Sequence, residues 1–207
     1  NEPVRPVPLN DLPAPIFNDD EMPMYAAPHI PVAVTRGCYW GKCTFCDYVK
    51  LMAPGQSRYL GRDVKRVVDD IESLSKRYGI RMFYLITEAL PPAWAAHFAK
   101  EILARGLRLH FWSYIKNEKK EIWSQDLLCL MADAGIRTIT CGVESTSDRV
   151  LEVIDKGTTG QMIRDNYERF QNAGIRAEFN LIPDYPTTTL VEAAEGIRFV
   201  VENRDII

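Results

Sequence analysis

Apolar residues recur at the helical period in several stretches of the chain, and short apolar runs separate those stretches. Two representative apolar faces are Val64, Val67, Val68, Ile71 and Leu74, and Met162, Ile163, Tyr167 and Phe170. Thr189 and Glu192 form a capping box that predicts the start of a last helix with an apolar face of Ala193, Ile197 and Val200. The short runs predict five strands, at 31–35, 80–86, 107–113, 136–141 and 175–182.

A Gly-aliphatic-Arg tripeptide marks four of the changes from helix to strand, and its glycines are Gly79, Gly106, Gly135 and Gly174. Glycine tolerates the left-handed conformation that ends many helices, so each tripeptide predicts a helix end that leads into a strand. Five strand-helix units in alternation predict an α/β fold with a parallel sheet, either barrel-like or doubly wound. In both architectures the chemistry collects at the carboxyl ends of the strands.

The first thirty residues have a different texture from the rest. Eight of the 13 prolines lie between Pro3 and Pro31, and the segment has little apolar periodicity. Proline removes a backbone donor and biases the residue before it away from helix. We therefore expect residues 1–30 to form an extended linker or arm and residues 31–207 to form the core domain.

Composition and charge narrow the class of protein. The 207 residues are 46% hydrophobic and 26% charged, which is typical of a globular protein. The net charge of -3 argues against a nucleic-acid partner. No apolar run approaches the roughly 18 residues of a membrane span, and the chain does not open on a signal segment. We expect a cytoplasmic protein without a membrane or nucleic-acid partner.

Three of the five cysteines, Cys38, Cys43 and Cys46, lie within nine residues, directly after the first predicted strand. Clustered thiols in such a chain favour a metal site over disulfides. Zinc is one alternative, with a fourth ligand from the remaining candidates His29, His97, His110, Cys129 and Cys141. A ferredoxin-like electron carrier is another, although its fourth cysteine should follow closely. Three thiolates on an iron-sulfur cluster would leave one iron open to a substrate or cofactor.

The cysteine loop, with Phe45 before its last cysteine, resembles the cluster motif of radical S-adenosylmethionine (SAM) enzymes. The segment 141–151, followed by Asp155-Lys156-Gly157-Thr158, is similar to a segment at the fourth strand of that family. With its proline-rich arm, the chain is most similar to the branch that carries an upstream cobalamin-binding domain. The resemblance covers roughly residues 10 to 202, and it implies a partial parallel (β/α) barrel.

The resemblance implies an enzyme that cleaves SAM reductively at a 4Fe-4S cluster and starts radical chemistry on a small molecule or peptide. Cys38, Cys43 and Cys46 would ligate three irons of the cluster. The implied SAM contacts are Phe45, Thr87, Glu88, Glu144, Ser145, Asn180 and Ile182. An electron donor such as flavodoxin or ferredoxin is implied as a partner. The resemblance leaves open a cobalamin cofactor, held by a domain absent from this chain, for methyl transfer or rearrangement.

The sequence also departs from the family's pattern. Four residues separate Cys38 from Cys43, where the usual loop has three, and Gly37 and Gly41 make the longer loop tolerable. Relatives have six strands, so we expect a fragment that lacks the sixth strand and an upstream domain. The alternative function is a non-catalytic binding or electron-transfer protein stabilised by zinc or an iron-sulfur cluster.

Several further residues carry open interpretations. Tyr114 and Lys116 could hold the SAM carboxylate or substrate, or belong to a solvated loop. Tyr39 and Trp40 could shield the cluster or pack the loop, and Asp184 and Tyr185 could touch substrate or shape a turn. Cys129 and Cys141 are expected in the core.

Overall fold

A five-stranded parallel sheet forms the centre of the protein in a computed structural model that describes residues 7–52 and 59–204. Numbered along the chain, its strands are β1 (Ile30–Ala33), β4 (Met82–Ile86), β5 (His110–Ile115), β6 (Ile136–Glu144) and β7 (Arg176–Leu181). Two short strands, β2 (Thr35–Gly37) and β3 (Tyr59–Gly61), pair antiparallel beside it.

The strands of the main sheet lie side by side in chain order, β1-β4-β5-β6-β7, and every pair is parallel. A doubly wound sheet reverses its strand order at a switch point, whereas a barrel winds in one direction. The consecutive order therefore settles the question left open by the sequence pattern in favour of a partial (β/α) barrel. All the carboxyl ends of the strands meet at one edge of this sheet.

Helices connect the strands, and four of them end at the glycines predicted from the sequence. They are α1 (Tyr48–Met52), α2 (Val64–Tyr78), α3 (Pro92–Ala104), α4 (Gln125–Asp133), α5 (Asp148–Val153), α6 (Gly160–Asn172) and α7 (Leu190–Glu202). The four tripeptide glycines all have positive φ, between 63° and 95°. The capping box of Thr189 and Glu192 is present at the start of α7. These local signals confirm the helix ends predicted from the sequence.

The core lies between one face of the sheet and the helices. On β4, Phe83 and Leu85 are buried under the helices while Met82 and Ile86 are exposed on the opposite, inner face. The same alternation holds on β5, where Phe111 is buried. This alternation is what the pleat of a strand requires when one face is covered. The inner face of the sheet is thereby left open towards its carboxyl edge.

All five predicted strands are present, with ends shifted by a few residues. The small β2–β3 sheet and the short helices α1 and α5 were not predicted, because short elements give little periodic signal. The predicted apolar face of α7 is confirmed only in part: Ala193 and Val200 are half-buried, but Ile197 is 60% exposed, and Phe199, which was not predicted, is the buried residue of this helix. The reason is the position of α7 beside the edge strand β7, where little of the described chain covers it.

The described part of the proline-rich segment packs along α2. The Tyr78 hydroxyl donates to the Phe17 carbonyl and accepts from the Phe17 amide, at 3.1 and 2.9 Å. Farther along, the Asn10 side chain accepts from the Asp63 amide, and Arg66 donates to the Asn10 carbonyl. The division at residue 30 into arm and core stays a prediction. In the ranges that the structure covers, no helix is long and apolar enough to cross a membrane.

Candidate functional site

A cleft of about 410 Å³ opens at the carboxyl edge of the sheet. The cysteine loop forms one wall, and residues at the ends of β4, β5, β6 and β7 form the floor and the other walls. Among the lining side chains are Cys38, Cys43, Cys46, Phe45, Glu88, Tyr114, Lys116, Glu144, Lys156 and Asn180. The cleft thus gathers residues from distant parts of the sequence at the edge where parallel sheets place their chemistry.

The cysteine loop is anchored to the segment that follows α5. The Thr44 amide donates to the Ile154 carbonyl at 3.0 Å, and the Thr44 hydroxyl lies 3.1 Å from that of Tyr185. The rings of Phe45 and Tyr185 meet edge to face at 6.3 Å. The Cys46 amide donates to the Cys43 carbonyl, which closes a turn between these two cysteines. The backbone of the loop is therefore fixed before any ligand is considered.

Trp40 makes the second anchor of the loop. Its indole nitrogen donates to the Asp155 carbonyl at 2.8 Å, and its ring covers Gly157. A Cβ atom at Gly157 would overlap the Trp40 ring, and Gly157 also has a φ of 65°. Both observations explain why a glycine follows Lys156 here. Trp40 therefore packs the loop, and since it also lines the cleft, its compatible role as a shield for the cluster stays a prediction.

A bulge at the end of β6 places Glu144 in the cleft. The pairing of β6 with β7 shifts register between Gly142 and Glu144, and Glu144 has a φ of 63°. Its carboxylate accepts from Lys156 Nζ at 2.8 Å. Both side chains are nearly buried, at 12% and 9% exposed. Glu144 and Lys156, which belong to the family-like segment 141–158, thus form a buried ion pair at the edge of the cleft.

Glu88 offers an unused acceptor to the cleft. Its Oε2 atom is buried and has no hydrogen-bond partner among the described residues. Burial raises the pKa of the Glu88 carboxyl above its usual value. Leaving a buried carboxylate oxygen unpaired is costly, which makes this atom a candidate acceptor for a group bound in the cleft. The neighbouring Thr87 is different, since its hydroxyl is buried and lies 2.6 Å from that of Thr35.

Lys116 lies at the back of the cleft in a network of its own. Its ammonium group donates to Glu118 Oε1 at 3.1 Å and lies 4.3 Å from the centre of the Trp40 ring. Glu118 also accepts from the Tyr39 hydroxyl at 3.0 Å. Burial lowers the pKa of Lys116, while Glu118 opposes that shift. Tyr39 and Trp40 are therefore both tied to the end of β5.

Aromatic side chains cover the inner face of the sheet below the cysteines. Tyr84 and Trp112 stack at 4.4 Å between centroids, and Tyr114 lies 6.2 Å from Tyr84. Burial raises the pKa of Tyr84 to about 12. The Trp112 indole donates to the Thr140 hydroxyl, which in turn donates to Glu178. Trp112 and Tyr114 alternate with buried residues along β5, a pattern from which this inner face could have been predicted.

The structure brings most of the predicted SAM residues together. Phe45, Thr87, Glu88, Glu144 and Asn180 line the cleft with the three cysteines. It does not bring Ser145 and Ile182 there, because both line a separate cavity of about 80 Å³ beneath α7. No role at this site was predicted for Lys156, Tyr84 or Glu118. The individual roles of all these residues stay predictions.

Of the two cysteines outside the loop, both expected in the core, one is buried and the other is exposed. Cys141 is buried, as predicted, and burial raises the pKa of its thiol to about 12. The prediction for Cys129 was wrong, because this thiol is exposed on α4. Helix α4 turns Leu128 and Met131 towards the core, so Cys129 beside them faces outward. His29 and His110 line another cavity, at the opposite end of the strands from the cysteines.

The donor set of the cleft fits an iron-sulfur cluster by its chemistry. Three thiols come from one anchored loop and line one cleft, and thiolates are the ligands that such clusters take. Within the described ranges, no three Cys, His, Asp or Glu side chains are arranged closely enough to hold a single metal ion. The thiols thus line the cleft without converging on one point, whereas the ligands of a structural zinc site must converge on a single ion.

Comparison with known proteins decides the family. The family model described as the radical SAM superfamily matches residues 32–200 of this chain. The chain belongs to the radical SAM superfamily. The predicted family, with the 4Fe-4S cluster and SAM that it implies as cofactors, is confirmed. The cysteine loop and the strand ends that line the cleft lie within the residues matched by the family model.

Related sequences are longer than the part of them that this chain matches. It is 30% identical over 206 residues to an uncharacterized methyltransferase of Pyrococcus horikoshii, and covers 43% of that protein. It is 28% identical over 149 residues to the anaerobic magnesium-protoporphyrin IX monomethyl ester cyclase of Rubrivivax gelatinosus, and covers 26% of it. The chain therefore spans less than half the length of these relatives.

Solved structures agree on the radical SAM fold. The cobalamin-dependent SAM radical enzyme OxsB in its apo form is similar with a TM-score of 0.74 and 21% identity, over 95% of this chain and 29% of that one. Methylornithine synthase is similar with a TM-score of 0.59 and 12% identity, over 86% of this chain and 51% of that one. The partial barrel predicted from the sequence is thereby confirmed.

Proposed function

We propose that this protein is an enzyme that binds a 4Fe-4S cluster at Cys38, Cys43 and Cys46 and cleaves SAM reductively to begin radical chemistry. The observation that carries the proposal is the meeting of three loop thiols and the unpartnered Glu88 oxygen in one cleft. The bound cluster would supply the electron for cleavage of the bond between sulfur and C5′ of SAM. The protein would bind and orient SAM and exclude water.

The side chains of the cleft can divide the binding of SAM among them. Glu88 would accept a hydrogen bond from the ammonium group of SAM, and that cation would keep the carboxylate ionised despite its burial. Glu144, held by Lys156, would accept from a ribose hydroxyl. Phe45 and Asn180 would contact the adenine. Each of these side chains lines the cleft with the cysteines.

Anaerobic reconstitution tests the proposal. We expect about four irons and four sulfides per chain, and SAM should change the EPR signal of the reduced cluster. Glu88→Gln keeps the size of the side chain but removes its charge, so SAM affinity should fall about 10- to 100-fold. The matched control is Glu121→Gln, which changes an exposed glutamate outside the cleft. One tightly held zinc ion and no response to SAM would instead support the non-catalytic binding protein.

A methyl transfer assisted by cobalamin is the reaction class that we infer for the full-length protein. Two observations favour it: a relative named as a methyltransferase is 30% identical, and the fold resembles that of a cobalamin-dependent enzyme. Methyl-labelled SAM, hydroxocobalamin and a reductant should then yield labelled cobalamin on the full-length protein. Cleavage of SAM without transfer of the label would place the protein in another reaction class. We expect a flavodoxin or ferredoxin to serve as the physiological reductant.

A further inference from the structure

Lys116 has no proton left for a ligand. Its side chain is 4% exposed, and its ammonium group donates to three oxygens. These are the Asn117 carbonyl at 3.2 Å, Glu118 Oε1 at 3.1 Å and the Gly157 carbonyl at 3.3 Å. An ammonium group has three donors, so all of them are in use. Contact with SAM or substrate, the interpretation left open by the sequence, would cost Lys116 one of these bonds.

The partners of Lys116 connect the cysteine loop to the rest of the site. The ammonium group lies 4.3 Å from the Trp40 ring centre, and the ring covers Gly157, whose carbonyl accepts from the same ammonium group. Glu118 accepts from both Lys116 and the Tyr39 hydroxyl. Tyr39 and Trp40 both lie in the four-residue interval between Cys38 and Cys43. Lys116 thus connects the four residues between Cys38 and Cys43 to the end of β5, directly through Trp40 and through Glu118 to Tyr39.

The charge of Lys116 is also placed to act on the cysteines. Lys116 lines the same cleft as the three cysteines of the loop, and its ammonium group contacts the ring of Trp40, two residues after Cys38. A buried charge is screened much less than an exposed one. Net charge and hydrogen bonding around an iron-sulfur cluster set its reduction potential. A buried cation beside the ligands favours the form of the cluster that has gained an electron.

We propose that Lys116 is a positioning residue that holds the cysteine loop through Tyr39 and Trp40 and raises the reduction potential of the cluster bound there. The proposal rests on the proposed function in that the loop must bind a cluster. The potential in question is that for one-electron reduction of the cluster by an added reductant. Lys116 makes no bond to SAM in this proposal. Glu118, as the counter-charge, lowers the same potential.

Opposite charge changes provide the test. The midpoint potential of the reconstituted cluster is measured without SAM, by EPR during titration with dithionite. We expect Lys116→Met to lower the potential and Glu118→Gln to raise it, while Lys116→Arg keeps the charge and stays near the wild-type value. Lys119→Gln is the matched control, because Lys119 is exposed three residues away and its charge is screened. Iron and sulfide content is measured for every variant.

A merely structural role predicts a different pattern. If the two residues only hold the loop, Lys116→Met and Glu118→Gln should both lower the iron content, and their midpoint potentials should not move in opposite directions. If Lys116→Met holds no cluster, Glu118→Gln decides: a raised potential supports the proposal, and an unchanged or lowered one overturns it. A wild-type protein that binds no iron-sulfur cluster would overturn the proposed function as well. A wild-type cluster with unchanged potentials in the variants would overturn only the role of Lys116.

Discussion

Replacing Gly157 by alanine should release the cysteine loop from its anchor. The new methyl group would overlap the ring of Trp40, and alanine would have to adopt a φ of 65°. Gly174→Ala provides a matched control. Gly174 has a φ of 69°, and a Cβ atom there would meet nothing within 4 Å. The two variants share the backbone strain, so the difference between them isolates the contact with Trp40.

The structure gives the size of that difference. The left-handed conformation should cost both variants about 1–2 kcal/mol. Displacement of Trp40 removes its hydrogen bond to Asp155, at about 1 kcal/mol, and its contact with the buried Lys116, at about 1 kcal/mol. Gly157→Ala should therefore lie about 2 kcal/mol below Gly174→Ala in stability. For a chain of 207 residues this corresponds to a melting temperature lower by about 4–8 °C.

Two measurements on the apo-protein check the prediction. Thermal unfolding followed by circular dichroism compares the melting temperatures of the two variants. Thiol reactivity follows the loop itself, in a Cys129→Ser background that removes the exposed thiol on α4, while Cys141 is buried. The loop thiols should react faster in Gly157→Ala than in Gly174→Ala. Equal melting temperatures and equal thiol reactivity would refute the assignment of Trp40 as an anchor.

Three further changes have defined outcomes. Cys43→Ser should abolish cluster assembly on reconstitution while Cys129→Ser leaves the iron content at the wild-type value, and loss of iron in both would contradict a three-cysteine site. Hydrogen bonds from Arg149, Thr189 and Ser147 lower the pKa of Glu192 well below its usual value, so its contribution to stability is present above about pH 4.3 and is lost as the pH falls. The difference in unfolding free energy between wild type and Glu192→Gln should therefore shrink in acid, and a difference independent of pH would refute this. Ser124→Ala removes the cap of α4 and should cost about 1 kcal/mol in urea unfolding, whereas an unchanged midpoint would exclude that cap from the stability of the fold.

The fold was largely predictable because its signals are local. The glycines at helix ends and the capping residues act within a few positions, and the parallel sheet follows from the alternation of elements. The exposure of Cys129 shows the limit of this reasoning. Leu127, Leu128 and Met131 surround it in sequence, but the rotation of α4 about its axis decides which side faces the core. That rotation is set by packing against neighbouring helices, which no single stretch of sequence encodes.

The candidate site was predictable where one motif holds the chemistry and unpredictable where distant residues meet. The cysteines could be recognised from their spacing, and Glu88 from its place at the end of a strand. The pairing of Lys116 with Glu118 and Trp40 joins the loop to residues more than seventy positions away. The bulge that turns Glu144 towards Lys156 depends on the register of β6 with β7. Neither arrangement has a periodic signal in the sequence.

The stacked rings of Tyr84 and Trp112 make the inner face of the sheet optically visible. Two aromatic chromophores 4.4 Å apart, held at a fixed angle, produce a near-ultraviolet circular dichroism band that solvent-exposed aromatic residues do not. The band needs no label, and it arises directly beneath the cleft, which Tyr84 also lines. Tyr84 faces the cleft on the cysteine side, whereas Trp112 lines the cavity at the opposite end of the strands. Because Trp94 also stacks on Phe98, the part of the spectrum that Tyr84→Leu removes identifies the signal of this pair, and that signal reports on compounds that reach the cleft before any turnover is sought.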